Sequence, residues 1–283
     1  MKLNSSFILI RPYSLITILS IVLLGNVLSR GLVIDICFFI DVVFGLFLWI
    51  TGMVFTEYWH RKTDERIKIS KHWLYIAFSA LIIFSGIRNV WTVFIVLFLF
   101  GCNVLYGLKT KPVKLSLLSF VFRGFLETLL LVIILFFHGI YDFLIYFNII
   151  LSVFLFTSAR NIIGDIRDIE IDRYTFTKKY GEKISYALSV FLNLIGIVLI
   201  NNFLVVFPII LAVVLILISP RKEHSYVFHR LLVLSMCFFV INYIADILKY
   251  SLLITNLGFL GAVLNITYDF VPRKSNRFFQ KVW

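Results

Sequence analysis

The sequence predicts an all-α integral membrane protein, a bundle of nine or ten transmembrane helices. Three observations predict it. Of the 283 residues, 61% are hydrophobic, and the mean hydropathy is +0.99, whereas a soluble globular chain is roughly 45–50% apolar. The excess is spread along the whole chain in runs close to the ~20 residues that cross a hydrocarbon core. The basic residues fall in alternate links between those runs, as the positive-inside rule requires.

Apolar runs lie near 12–34, 36–59, 73–88, 90–107, 115–137, 143–159, 184–201, 203–219, 229–248 and 251–268. That makes ten spans, or nine if the last two are one span and a re-entrant piece. Pro12 suits the first turn of a helix, because the donor it lacks has no partner there, so Ile10-Arg11-Pro12 reads as the start of span one with Arg11 at the rim. Further spans follow at once, and no small-residue cleavage site stands out, so the first run is not read as a cleavable signal. With ten spans, 23 of the 27 basic residues lie on the side of both termini. That side is therefore expected to be cytoplasmic, in the cell membrane. Residues 1–283 are read as a single polytopic domain.

The net charge of +12 is accounted for by these links, so the partner it implies is the lipid bilayer and not nucleic acid. Cys37, Cys102 and Cys237 sit far apart in apolar runs and match no zinc spacing. They read as small buried hydrophobes.

The polar stretch from Ala159 to Gly181 carries Asp165, Asp168 and Asp172. In continuous helix these stand at about 0°, 300° and 340°, on one face, with Asn161 about 40° from Asp165. Three like charges beside apolar helices repel unless a cation sits among them. Mg²⁺ typically takes one or two carboxylates together with phosphate oxygens and water. The plain alternative is a solvated helix end, with Arg160, Arg167 and Arg173 interleaved. Ionisable groups abutting a membrane span favour a site.

Three further groups stand at span ends or within spans. Thr56, His60 and Asp64 are spaced i, i+4, i+8 at the end of span two and fall within about 80° on a helix. They read either as one wall of a cavity or as a membrane-surface end with Tyr58 and Trp59 in the aromatic belt. Tyr106 and Lys109 share a face before Pro112, where Lys109 is either a point charge for a diphosphate or an ordinary loop lysine. Arg123 and Glu127, i and i+4 within span five, are expected to pair and so lower the cost of burial.

In this order the pieces resemble the UbiA superfamily of intramembrane prenyltransferases. The matches are the Arg-Pro start of span one, an acidic motif ending span two, the LYxxxK-like stretch after span four, and DIRDIEID after span six. Thr175 to Gly181 is similar to the family's tail motif. The resemblance implies a central apolar cavity open to the cytoplasmic face. It also implies a polyprenyl diphosphate held through Mg²⁺ and transfer of the prenyl group to an aromatic or lipid acceptor. Carried over, Asp165, Asp168 and Asp172 bind metal together with Asp64, and Asp165 and Asp168 are catalytic. Asn161, Lys109, Arg11, Tyr106, Thr56 and His60 contact substrate.

Thr56 and His60 stand where the family's first motif has Asn and Asp, and only Asp64 is retained. That departure keeps two alternatives open: a divergent intramembrane terpene cyclase, and a non-catalytic lipid-binding member of the same fold. A transporter fits less well, because no internal repeat is evident and the polar cluster lies at a span end.

Overall fold

The computed structural model describes residues 12–60, 71–107, 112–170, 172 and 174–269. Its helices are α1 (Pro12–Arg30), α2 (Ile36–His60), α3 (Lys71–Arg88), α4 (Val90–Gly107), α5 (Ser119–Phe137), α6 (Phe147–Arg167), α7 (Phe176–Tyr180), α8 (Glu182–Ile200), α9 (Phe203–Ile218), α10 (Ser225–Ile247) and α11 (Leu252–Asp269). Short 3-10 turns lead into α5, α6 and α10. No strand occurs among the described residues.

Six of these helices, α2, α4, α5, α6, α8 and α10, are long and apolar enough to cross a membrane, and α1, α3, α9 and α11 are shorter apolar helices. Large apolar side chains point away from the bundle, Ile87 at 79% and Ile218 at 73% exposure among them. In water such a surface aggregates, whereas in lipid it is the expected exterior. The chain is an integral membrane protein.

The expected runs coincide with the helices to within a few residues, except at α6, which continues well past its apolar run to Arg167. Polar contacts between helix ends establish an up-and-down course. Ser119 at the start of α5 donates to Asp165 near the end of α6. Tyr146, just before α6, donates to the Leu28 carbonyl near the end of α1 at 2.8 Å. Tyr186 at the start of α8 donates to the Arg221 carbonyl beyond α9. Helices α1, α5, α6 and α10 are the interior members, since α1 packs on α2, α5 and α10, and α6 packs on α5, α8 and α10.

Close approach in this interior depends on small residues. A Cβ added at Gly25 would come within 2.7 Å of Ile134, and one at Gly124 would collide with Ser158 and lie 3.2 Å from the Phe154 carbonyl. Without a hydrophobic drive between helices in lipid, such packing and interhelical hydrogen bonds carry association.

Three buried polar groups pin the bundle. At the end remote from Asp165, Asp41 of α2 is fully buried and accepts from Arg88 of α3 at 3.1 Å, with His138 beyond α5 at 2.7 Å. Midway, Glu127 of α5 accepts from Arg160 at 2.5 Å and Thr157 at 3.0 Å, both on α6. Glu127 thus takes Arg160 in place of the expected Arg123, because a partner on the facing helix meets the carboxylate head-on. The third group surrounds Pro208 inside α9. Proline has no N–H to give the carbonyl four residues earlier, and that carbonyl, Leu204, accepts from Asn242 of α10 and Asn256 of α11, each at 3.1 Å.

Candidate functional site

The acidic stretch does not continue as helix. Helix α6 ends at Arg167, and Asp168 caps it with φ −96° and ψ 12°. The Asp168 N–H still bonds the Gly164 carbonyl, and the Asp172 N–H bonds the Asp168 carbonyl at 2.9 Å. The expectation of three carboxylates on one face of a continuous helix is therefore corrected. Asp165 is on the helix, Asp168 closes it and Asp172 lies beyond. Two local causes favour the break: Asp and β-branched Ile are weak helix formers, and carboxylates oppose the negative end of the helix dipole.

Past the break, the tail motif has a structural account. Thr175 caps α7 by accepting from the Lys178 N–H at 3.2 Å. Gly181 turns the chain into α8 with φ 87°, which glycine adopts without strain.

Asp165 and Asp172 are 5% and 6% exposed. Ser119 Oγ donates to Asp165 Oδ2 at 3.4 Å. Asp168 is forked by its neighbour Arg167, Nε to Oδ1 at 2.8 Å and a terminal nitrogen to Oδ2 at 2.5 Å. Asn161 spends its Nδ2 on the Thr157 carbonyl at 2.7 Å. Among the described residues, no three His, Cys, Asp or Glu side chains form a metal-binding group. By ligand type, Asp165 and Asp172 suit a hard divalent cation. Two buried carboxylates at the negative end of a helix match the one or two that Mg²⁺ usually takes.

The α2 wall is organised differently. Thr56 is buried, and its hydroxyl is shared between the Gly52 carbonyl at 2.9 Å and Asn103 Oδ1 at 3.1 Å. Beside it the Arg123 guanidinium lies over the rings of Trp49 (4.6 Å) and Tyr106 (5.5 Å). A cavity of about 20 Å³ sits here between α1, α2, α4 and α5. Arg11, Asp64, Lys109 and the His60 side chain lie outside the described residues.

Sequence reasoning missed three residues near these walls. Asn103 and Ser119 look like ordinary small polar residues in apolar runs. His229 of α10 is buried and lies against Gly164, where an added Cβ would be 3.3 Å from the imidazole. A lone His in an apolar run was the only available signal.

The all-helical course of the described residues defines a class, the fold of the UbiA homologues. Three solved structures share it. A digeranylgeranylglyceryl phosphate synthase aligns with a TM-score of 0.59 at 20% identity, over 85% of this chain and 99% of its own. A UbiA homologue from Aeropyrum pernix K1 aligns at 0.61 and 13% identity, over 81% and 97%. A UbiA homologue from Archaeoglobus fulgidus bound to Cd²⁺ aligns at 0.52 and 13%, over 83% and 98%. No protein-family model matches the chain, and no curated protein matches it in sequence.

Proposed function

We propose that this protein is a membrane prenyltransferase of the UbiA superfamily. It moves a prenyl group from a polyprenyl diphosphate to an aromatic or lipid acceptor at the cytoplasmic face of the cell membrane. Helices α1 to α6 and α8 to α11, the four shorter ones included, are its spans, in one polytopic domain. The observation that carries the reading is the pair of buried carboxylates, Asp165 and Asp172, at the end of α6 in a fold shared with a digeranylgeranylglyceryl phosphate synthase.

Asp165 and Asp172 would hold Mg²⁺, with Asp64 joining from the α2 side. A bound divalent cation supplies Lewis-acid stabilisation to a departing diphosphate. Ser119 orients Asp165 by donating to it, and Asn161 is on the same turns of α6. Asp168 takes part once it leaves the Arg167 fork. Lys109 and Arg11 would supply further charge to the diphosphate, and Thr56, His60 and Tyr106 would contact substrate. The apolar helices keep water away from the allylic cation.

The test is pyrophosphate release from radiolabelled geranylgeranyl diphosphate, by full-length protein in nanodiscs with Mg²⁺ and candidate acceptors. Asp165→Asn is expected to lower turnover by about a hundredfold or more, and chelation to abolish it. A folded wild-type protein that releases no pyrophosphate with any acceptor refutes the reading.

A second reading, a non-catalytic lipid-binding protein, draws on Thr56 and His60, which stand where the family's first motif has Asn and Asp. Any Asp165-dependent turnover excludes it. A cyclic hydrocarbon formed without acceptor would identify a terpene cyclase instead.

A further inference from the structure

The segment that follows Asp172 has an inner and an outer side. On the inner side, α7 sets Phe176 against Phe120 at the start of α5, ring centroids 5.8 Å apart, and Thr175 and Thr177 are buried. On the outer side, Tyr174 and the run from Lys178 to Gly181 are exposed, as are Lys183 and Ile184 in the first turn of α8.

Three lysines thus stand exposed within six residues. Lys178 Nζ donates to the Ile169 carbonyl at 3.3 Å, and Lys179 Nζ lies 4.9 Å from the centre of the Tyr180 ring. Both partners are neutral. Glu182 is the one carboxylate inside the stretch, and Glu170, the acid beside Lys178, is engaged by Lys222. From Tyr174 to Ile184 the chain keeps an excess of two positive charges.

Position decides what meets that charge. Helix α8 is long and apolar enough to cross a membrane and begins at Glu182. Helix α7 therefore lies where the chain passes from water into lipid. Ile184 is 52% exposed, which suits hydrocarbon, and Lys183 directly precedes it. Tyrosines such as Tyr174 and Tyr180 settle at headgroup level, and lysine stems lie along apolar surface with the ammonium held among headgroups. An acidic soluble partner would have to reach this surface across the headgroups, whereas an anionic phospholipid is already beside it.

We propose that Lys178, Lys179 and Lys183, flanked by Tyr174 and Tyr180, form a docking surface for anionic phospholipid headgroups in the leaflet on the Asp165 side, and that a bound headgroup steadies the segment carrying Asp172. The connection is short. Thr175, three residues after Asp172, caps α7 by accepting from the Lys178 N–H, so an anion that holds Lys178 and Lys179 also holds the cap. The proposal is independent of the prenyltransferase reading, since it requires only that α8 enter a bilayer at Glu182.

The test is hydrogen exchange of full-length protein in phosphatidylcholine nanodiscs, with and without phosphatidylglycerol. One basic residue near an anionic surface contributes about fivefold in binding. Phosphatidylglycerol is therefore expected to slow exchange over residues 174–184 by about fivefold or more, and high salt to cancel the slowing. The combined variant Lys178→Gln, Lys179→Gln, Lys183→Gln should lose the effect, and Lys178→Arg, Lys179→Arg, Lys183→Arg should keep it. All three side chains are exposed, and a thermal scan checks that each variant folds. No slowing by phosphatidylglycerol, or the same slowing in the glutamine variant, overturns the proposal. A folded arginine variant that loses the slowing overturns it too, because charge is then not the cause. Soluble glycerol phosphate added to phosphatidylcholine discs should have no effect. If it reproduces the slowing, the ligand is a free phosphate and the lipid assignment fails. The readout involves no turnover, so failure here leaves the prenyltransferase reading untouched.

Discussion

Replacing Glu127 by Ala isolates the energetics of the buried pair between α5 and α6. Glu127 accepts two hydrogen bonds, from Arg160 at 2.5 Å and Thr157 at 3.0 Å. Hydrogen bonds to a charged group contribute about 1.5–3 kcal/mol each, so losing both costs about 3–6 kcal/mol. The same figure follows from the side left behind. Arg160 is buried and its Nε already has no partner, and stranding one member of a buried ion pair costs about 3–5 kcal/mol. The expected loss is therefore about 4 kcal/mol, read as a shift in unfolding free energy by SDS titration in mixed micelles. Glu127→Gln keeps an acceptor without the charge and should lose about half as much. A Glu127→Leu, Arg160→Met double variant removes both charges and should return to within about 1 kcal/mol of wild type. A loss below about 1 kcal/mol for Glu127→Ala, or a double variant as unstable as the single, refutes the reasoning.

Other parts of the fold give independent tests. Gly124→Ala places a Cβ against Ser158 Oγ and the Phe154 carbonyl. It should destabilise by about 1–3 kcal/mol, and adding Ser158→Gly should restore part of the loss in the same unfolding assay. Asn242→Leu removes donors to the Leu204 carbonyl and to Asn256 Oδ1. It should cost about 1–3 kcal/mol, and less in a Pro208→Ala background, where the α9 backbone supplies its own donor; a double-mutant cycle measures this coupling. Glu170 is held below the usual carboxylate range by its hydrogen bond from Lys222. Its contribution to docking the turn before α10 is full above the ordinary glutamate pKa and is lost as pH falls through the lowered value. Hydrogen exchange at 168–170 and 222–224 should rise on acidification and with added salt.

The helices were legible because apolar run length in a membrane chain is a direct physical requirement. Helix α6 outran its apolar stretch for a reason no local window contains: Arg160 is neutralised by Glu127, 33 residues earlier. The break after Arg167 was hidden for the opposite reason, since spacing of i, i+3 and i+7 is equally compatible with helix and with a helix followed by a turn. Arg123 and Glu127 illustrate the limit of periodicity. It reports which residues share a helix face and not which neighbouring helix competes for them. Thr56 with Asn103, and Asp41 with Arg88, each bridge 47 residues, and only the fold brings these pairs together. The acidic motif itself was readable because carboxylates at a span end are costly and few.

The cluster at Asp41 has a mechanical consequence for the cavity. Arg88 and His138 fix one point of α2 to α3 and α5, while Thr56 lies 15 residues further along the same helix, about 22 Å away. With that point held, displacement of the Thr56 end of α2 is rotation of a lever about a fixed fulcrum, not translation of the helix. A tilt of about 5° carries the Thr56 end roughly 2 Å outward on that arm and leaves the ion cluster intact. Small angular changes at the remote face are enough to shift the Thr56 end of α2.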